Sequence, residues 1–237
     1  MIDELPPYIL TRSVFNWEDV KSPGEGADKY DCLDTYAAWQ ASYSAKPTYL
    51  PNWGRMSSET FCIPQTLVPR ANNGKAVNNS SYAVIVTFTG TIYNHKFLFG
   101  GDLEESGWEA LLNQNPRFRA SVQGTTFYFV SHHGHVSGFS PELFKAMGQK
   151  PTLNLISATN CYDSHDSRYS ENALGLRFGS DVHYTLTTRS HGSIFIDVDD
   201  TGLATVNSWD LPDNIKPEPP SYLSYLPALT PPPGYFR

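Results

Sequence analysis

Apolar and polar positions switch between two periods along this chain. Residues 82–89 (YAVIVTFT) form a continuous apolar and β-branched run, 90–94 a turn, and 96–100 a second apolar run, which predicts a buried strand hairpin. Over 103–113 the spacing becomes helical. Trp108, Leu111 and Leu112 share a face there, and Glu104 and Glu105 occupy the first turn, where the helix dipole favours acids. Residues 125–130 predict the next strand. Ser140 is a helix cap, with Pro141 at the first helical position and Glu142 after it. Residues 153–157 read as a strand and 171–176 as a short helix. The blocks 184–188, 193–198 and 203–206 read as a terminal β-meander whose last turn is DDTG.

Upstream, 8–12 (YILTR) is strand-like and 34–45 is helical, with Asp34 as its cap. Between them and the hairpin, 46–79 is a long segment rich in Pro, Asn and Gly, with short strand candidates at 60–63 and 65–68. From 211 onward the chain is proline-rich and aperiodic. No internal repeat is evident. The order of elements predicts one mixed α/β (α+β) domain over 1–210 and a Pro-rich tail over 211–237.

Composition adds bounds. The 237 residues are 40% hydrophobic and 14% aromatic, enough for a sizeable core. The net charge of −7 argues against broad electrostatic binding of nucleic acid. Cys32, Cys62 and Cys161 are far apart and form no C-x-x-C pair, so neither a disulfide framework nor a cysteine zinc site is indicated. No run has the length of a membrane span, and 1–12 carries acids and prolines where a signal peptide has a basic region and an apolar core. The expectation is a cytoplasmic protein with no membrane segment.

The candidate chemistry lies at two strand ends. The first apolar run stops at Gly100-Gly101 and delivers Asp102, a carboxylate suited to bridging divalent cations. Asp102 is equally suited to capping the helix that follows it. The second run stops at Ser131 and delivers His132, His133 and His135. Such a cluster after a buried strand points to metal binding or acid–base work, one imidazole ligating while a neighbour supports it or moves a proton. A third polar segment, 160–168, brings Asn160, Asp163, His165, Asp166 and Arg168, which could orient a ligand histidine or hold a substrate phosphate through Arg168. His95, His183 and His191 read as surface residues and Cys161 as a half-buried thiol. The chain contains no P-loop, G-x-G-x-x-G, G-x-S-x-G or H-E-x-x-H.

Taken together, FLFGGDLEE and SHHGHVSG resemble the metallo-β-lactamase-fold hydrolases, closest to the competence (DNA-uptake channel) type. The strand at 78–88, the helix SPELFKAM and the closing hairpin 186–202 are similar to that family as well. The resemblance implies an αββα sandwich. It assigns Asp102 as the metal-bridging carboxylate and His132 or His133 as a later ligand, with zinc or manganese in a two-metal site. His135 and His165 become the candidate catalytic groups, and Arg168 and Asn160 the substrate-binding ones. It implies a hydrolase acting on a phosphodiester, nuclease-like, or on another ester or amide. The family's H-x-H-x-D-H motif is absent, and no histidine precedes His95. The chain therefore resembles the C-terminal part of the sandwich. The expectation is a fragment whose missing half is encoded upstream or supplied by a second chain. The alternatives are a catalytically inactive binding or assembly module and, on aromatic content alone, a carbohydrate- or partner-binding β-rich module.

Overall fold

A computed structural model of the chain describes residues 54–69, 78–158, 165–178 and 180–209. The segments 8–12, 34–45 and 211–237, Asn160, Cys161 and Asp163 lie outside these residues. Contacts group Arg55–Ile63 with Val68–Arg237 into one compact unit. A second grouping, Met1–Gly54 with Pro64–Leu67, enters the description only through Gly54, Pro64 and a 3-10 turn at Gln65–Leu67.

The larger unit is a mixed α/β structure. Its centre is a six-stranded sheet of β1 (Met56–Phe61), β2 (Ala83–Thr89), β3 (Asn94–Phe99), β4 (Phe127–Phe129), β5 (Leu153–Ile156) and β8 (Thr185–Thr187), in that spatial order. β1, β2 and β3 pair antiparallel, and β3, β4, β5 and β8 run parallel. Parallel neighbours need crossovers, and helices supply them. α1 (Glu105–Gln114) and α2 (Pro116–Ser121) link β3 to β4, and α3 (Pro141–Met147) links β4 to β5. Between β5 and β8 lie α4 (Arg168–Glu171) and the small hairpin of β6 (Leu176–Phe178) and β7 (Asp181–His183).

Side chains alternate across the sheet and build two cores. Leu98, Tyr128 and Ile156 point to the helical face, where Trp108, Leu111, Phe118, Leu143 and Tyr169 bury against them. Phe127, Leu153, Leu155 and Leu186 point to the other face. There the hairpin of β9 (Ser193–Val198) and β10 (Ala204–Trp209) covers them with Ala204 and Val206. The cover is partial. A mostly apolar pocket of about 530 Å³ stays open between Val86, Phe88, Phe99 and Phe129 on the sheet and Ile194 and Ile196 on β9.

Two turns interlock at one end of this second face. In the β2–β3 turn, Thr91 N–H donates to Asp200 O (3.0 Å), and Ile92 and Tyr93 N–H both donate to Thr201 O (2.9 Å). His95 lies beneath, 4% exposed, with Nε2 2.6 Å from Gly202 O. The expectation of a surface His95 is thus corrected: the β9–β10 turn covers it. His183 and His191 are partly buried, with their rings 5.6 Å apart.

The predicted hairpin, the helices on either side of β4 and the turn at DDTG are all present. Several expectations differ, and the strand candidate at 65–68 is a 3-10 turn at Gln65–Leu67. Residues 185–187 join the main sheet beside β5 instead of forming a meander with β9. The short helix lies at Arg168–Glu171, before the predicted 171–176, and 176–178 is a strand. α2 was not expected, although Asn115 caps it by accepting from Phe118 N–H (3.0 Å) and Pro116 opens it. Among the described residues no helix is long and apolar enough to cross a membrane.

Candidate functional site at the strand ends

The four parallel strands end together, and the polar residues of interest follow those ends. This is the edge at which open α/β sheets bind ligands. Asp102 leaves β3 through Gly100 and Gly101. Gly101 has φ +54, and a Cβ there would lie 2.9 Å from Ser81 Cβ, so both backbone sign and space require glycine. Asp102 is not the helix cap. The N-cap of α1 is Glu104, whose N–H is received by the buried Asn79 Oδ1 (3.0 Å). The side chain of Asp102 stays 50% exposed, while its own N–H donates to Ser81 Oγ (3.0 Å).

β4 hands over to two consecutive left-handed residues, His132 (φ 48) and His133 (φ 55), then to Gly134 (φ 77). Left-handed backbone costs a non-glycine residue on the order of 1 kcal/mol, so the surroundings must impose it. Ser131 does much of that. Its buried Oγ accepts from Trp108 Nε1–H (3.0 Å) and Tyr128 OH (3.1 Å) and donates to Gly138 O (3.1 Å). The same burial pushes the Tyr128 hydroxyl up to about 12, so it stays a neutral donor. His132 N–H ties the loop to Gly101 O (2.9 Å), and His135 N–H closes it on His132 O (2.9 Å).

The two adjacent histidines have different surroundings. His133 Nδ1 lies 2.8 Å from Ser157 O. A carbonyl only accepts, so Nδ1 carries the proton, and in the neutral ring Nε2 presents a lone pair. That Nε2 lies 3.6 Å from Asp102 Oδ1. Two acceptors therefore face each other at an open edge, an arrangement completed by a proton or a cation between them. His132 faces inward instead. Its Nδ1 is 3.0 Å from Ser137 Oγ and 3.7 Å from Glu104 Oε1, and Asn78 Nδ2–H donates to the same Glu104 oxygen (2.9 Å). His135 is exposed, with its ring stacked 5.2 Å from that of His132.

His165 follows β5 and lies against the histidine loop: a Cβ at Gly134 would be 3.1 Å from His165 Cβ. Asp166 N–H donates to Gly134 O (2.9 Å). Burial and the positive charge of Arg189 hold the His165 imidazole below its ordinary range. Arg168 is taken up by Asp166 (Nη2–Oδ2 2.6 Å) and lies over the Phe139 ring at 4.2 Å. Its guanidinium holds the Asp166 carboxyl below the usual carboxylate range.

Of the residues expected from sequence, Asp102 and His133 thus meet, His132 and His135 stack beside them, and His165 packs on their loop. Arg168 braces that loop through Asp166. Sequence reasoning missed Asn78, Asn79, Glu104 and Arg189, polar residues whose roles depend on contacts distant in the chain.

Metal fit can be judged from the donor set. Zinc–nitrogen and zinc–oxygen bonds are about 2.0–2.2 Å, so a carboxylate and an imidazole 3.6 Å apart can share one ion. Among the described residues no group of three or more His, Cys, Asp or Glu converges. The residues fit two ligands of a metal site and leave it short of the three or four protein ligands that zinc takes. No protein-family model, curated protein or solved structure matches the chain.

Proposed function

We propose that the chain carries part of the active site of a metal-dependent hydrolase of the metallo-β-lactamase type, acting on a phosphodiester. The observation that carries this reading is the pair of facing acceptors, Asp102 Oδ1 and His133 Nε2, at the ends of adjacent parallel strands. The motif likeness of FGGD and SHHG points the same way. On this reading Asp102 and His133 are two of the metal's ligands, and the remaining donors come from elsewhere, including a second polypeptide. A bound zinc or manganese would supply Lewis acidity and lower the pKa of a coordinated water.

The chain's own residues orient and prepare. Ser157 O fixes the tautomer and ring plane of His133, the usual task of an outer partner. Ser131 and Gly101 fix where the two ligands stand. His135, exposed and stacked on His132, would pass a proton to a leaving group.

The test is manganese and zinc content together with hydrolysis of bis-4-nitrophenyl phosphate by Asp102→Ala and His133→Ala. Each variant should lose more than the roughly 10–100-fold typical of an outer-shell change. Metal content and hydrolysis equal to wild type in both variants would sink the assignment.

A second reading is a catalytically inactive binding or assembly module. The open apolar pocket between the sheet and β9 favours it. It predicts that no divalent metal binds at Asp102 and that substitutions such as Phe99→Asp disrupt assembly.

A further inference from the structure

Past the same strand ends stands a cation with no carboxylate partner among the described residues. Arg189 begins just past β8, in the short helix α5 (Thr188–His191). Thr188 Oγ1 accepts from Ala158 N–H (2.9 Å), which ties the start of α5 to the exit of β5. Ser157, one residue earlier, accepts from His133 Nδ1 (2.8 Å). Arg189 therefore belongs to the same edge as the Asp102–His133 pair.

Most cations of the described residues are committed. Arg55, Arg117 and Arg168 pair with Asp200, Glu59 and Asp166. Lys96 donates to the carbonyls of Ser121 and Gln123. Among the described residues only Arg177 and Arg189 have neither a carboxylate nor a carbonyl within bonding distance. Arg177 is exposed on β6, where water solvates it, whereas Arg189 is partly buried. A partly buried arginine with no partner among the described residues is a site for an anion, and its planar donors match two oxygens of a phosphoryl group. Burial, and after it the Arg189 charge, lower the proton affinity of His165, which packs on the histidine loop.

We propose that Arg189 is the substrate-anion residue of this cleft, binding the phosphoryl oxygens of a phosphodiester beside Asp102 and His133. Its meaning rests on the hydrolase reading. Its measurement does not, because anion binding can be followed with no metal present.

The experiment is a titration of the full chain with inorganic phosphate in EDTA at constant ionic strength. The observable is the Arg189 side-chain N–H resonances, and acetate and chloride serve as comparison anions. Phosphate should bind saturably and more tightly than either. Arg189→Gln should weaken it roughly 10–100-fold, the loss of a charge-assisted, two-point contact. Arg189→Lys should recover part of that loss.

A second measurement guards against a misfolded variant. In wild type, phosphate should slow phenylglyoxal modification of Arg189 but leave Arg177 unaffected. The proposal is overturned if phosphate binding is unsaturable, if Arg189→Gln leaves it unchanged, if acetate binds as tightly, or if Arg189 is unprotected. Should Asp102→Ala and His133→Ala leave metal content and hydrolysis unchanged while phosphate protects Arg189, the hydrolase reading falls and the anion site remains.

Discussion

Gly107, in the first half of α1, poses a contest between two opposed effects. In an unencumbered helix interior, Gly→Ala stabilises by about 1 kcal/mol, because alanine restricts the unfolded backbone. Here the added methyl would overlap Asn79 Oδ1 and lie 3.0 Å from Leu103 Cδ2. Asn79 cannot easily retreat. It is fully buried, its Oδ1 receives Glu104 N–H (3.0 Å), and its Nδ2 donates to Pro69 O (3.0 Å) and Ser106 Oγ (3.1 Å). Displacing it leaves a buried N–H unpaired, which costs about 1–3 kcal/mol, with a further loss from the strained amide. The clash outweighs the propensity gain, and Gly107→Ala should destabilise by about 2 kcal/mol net. With a urea m-value of about 2 kcal/mol/M, the unfolding midpoint should fall by about 1 M. The decisive arm is a double-mutant cycle with Asn79→Ala. Once the amide is gone, Gly107→Ala should become neutral or stabilising by up to about 1 kcal/mol. A Gly107→Ala protein as stable as wild type, or one equally destabilised in both backgrounds, would refute the reasoning.

Ser131→Ala removes the acceptor of Trp108 Nε1–H and of the Tyr128 hydroxyl in a dry site, and should cost about 1–3 kcal/mol in urea unfolding. A loss under about 0.5 kcal/mol would mean that the hydroxyl does not hold the histidine loop. The pH dependence has a definite sign. Burial holds His95, His165 and His191 below their ordinary range in the folded chain. Their contribution is therefore fully present above the unfolded value of about 6.5 and is lost as pH falls from there toward the folded values. Thermal unfolding should show a falling midpoint between pH 7.5 and 5.5, with a shallower fall in His95→Gln. An equal slope in that variant would remove His95 from the account.

The parts of this fold that were legible in the sequence are those set by local spacing. The β2–β3 hairpin follows from an unbroken apolar run and its turn. α3 follows from Ser140, Pro141 and the spacing of Leu143 and Met147, with Ser140 Oγ accepting Leu143 N–H (3.2 Å) as its position implies. α2 was equally readable from Asn115-Pro116 and was overlooked. What stayed hidden is set by distant partners. Nothing in TLT at 185–187 distinguishes an antiparallel meander from a parallel edge strand beside β5. His95 looks like a turn residue because the group that buries it is 107 positions away. In the candidate site, Asp102 and the histidines announced themselves by type and by following apolar strands. The distinction between His132 and His133 did not, because it depends on which carbonyl or carboxylate each ring meets.

The interlocked turns bear on the order in which the chain acquires its structure. Gly90, Thr91, Ile92 and Tyr93 are synthesised about a hundred residues before Asp200 and Thr201, so this clasp has a high contact order and its loop closure is slow. While residues 193–209 are still on the ribosome, the hairpin that covers Phe127, Leu153, Leu155 and Leu186 does not yet exist. Among the described residues nothing then covers that face of the six-stranded sheet, and its apolar side chains are open to chaperones or to a neighbouring nascent chain. The last hairpin thus acts as a closing cover, and substitutions at Gly202, where a side chain would collide with the Tyr93 backbone, should lower both the final stability and the yield of folded protein.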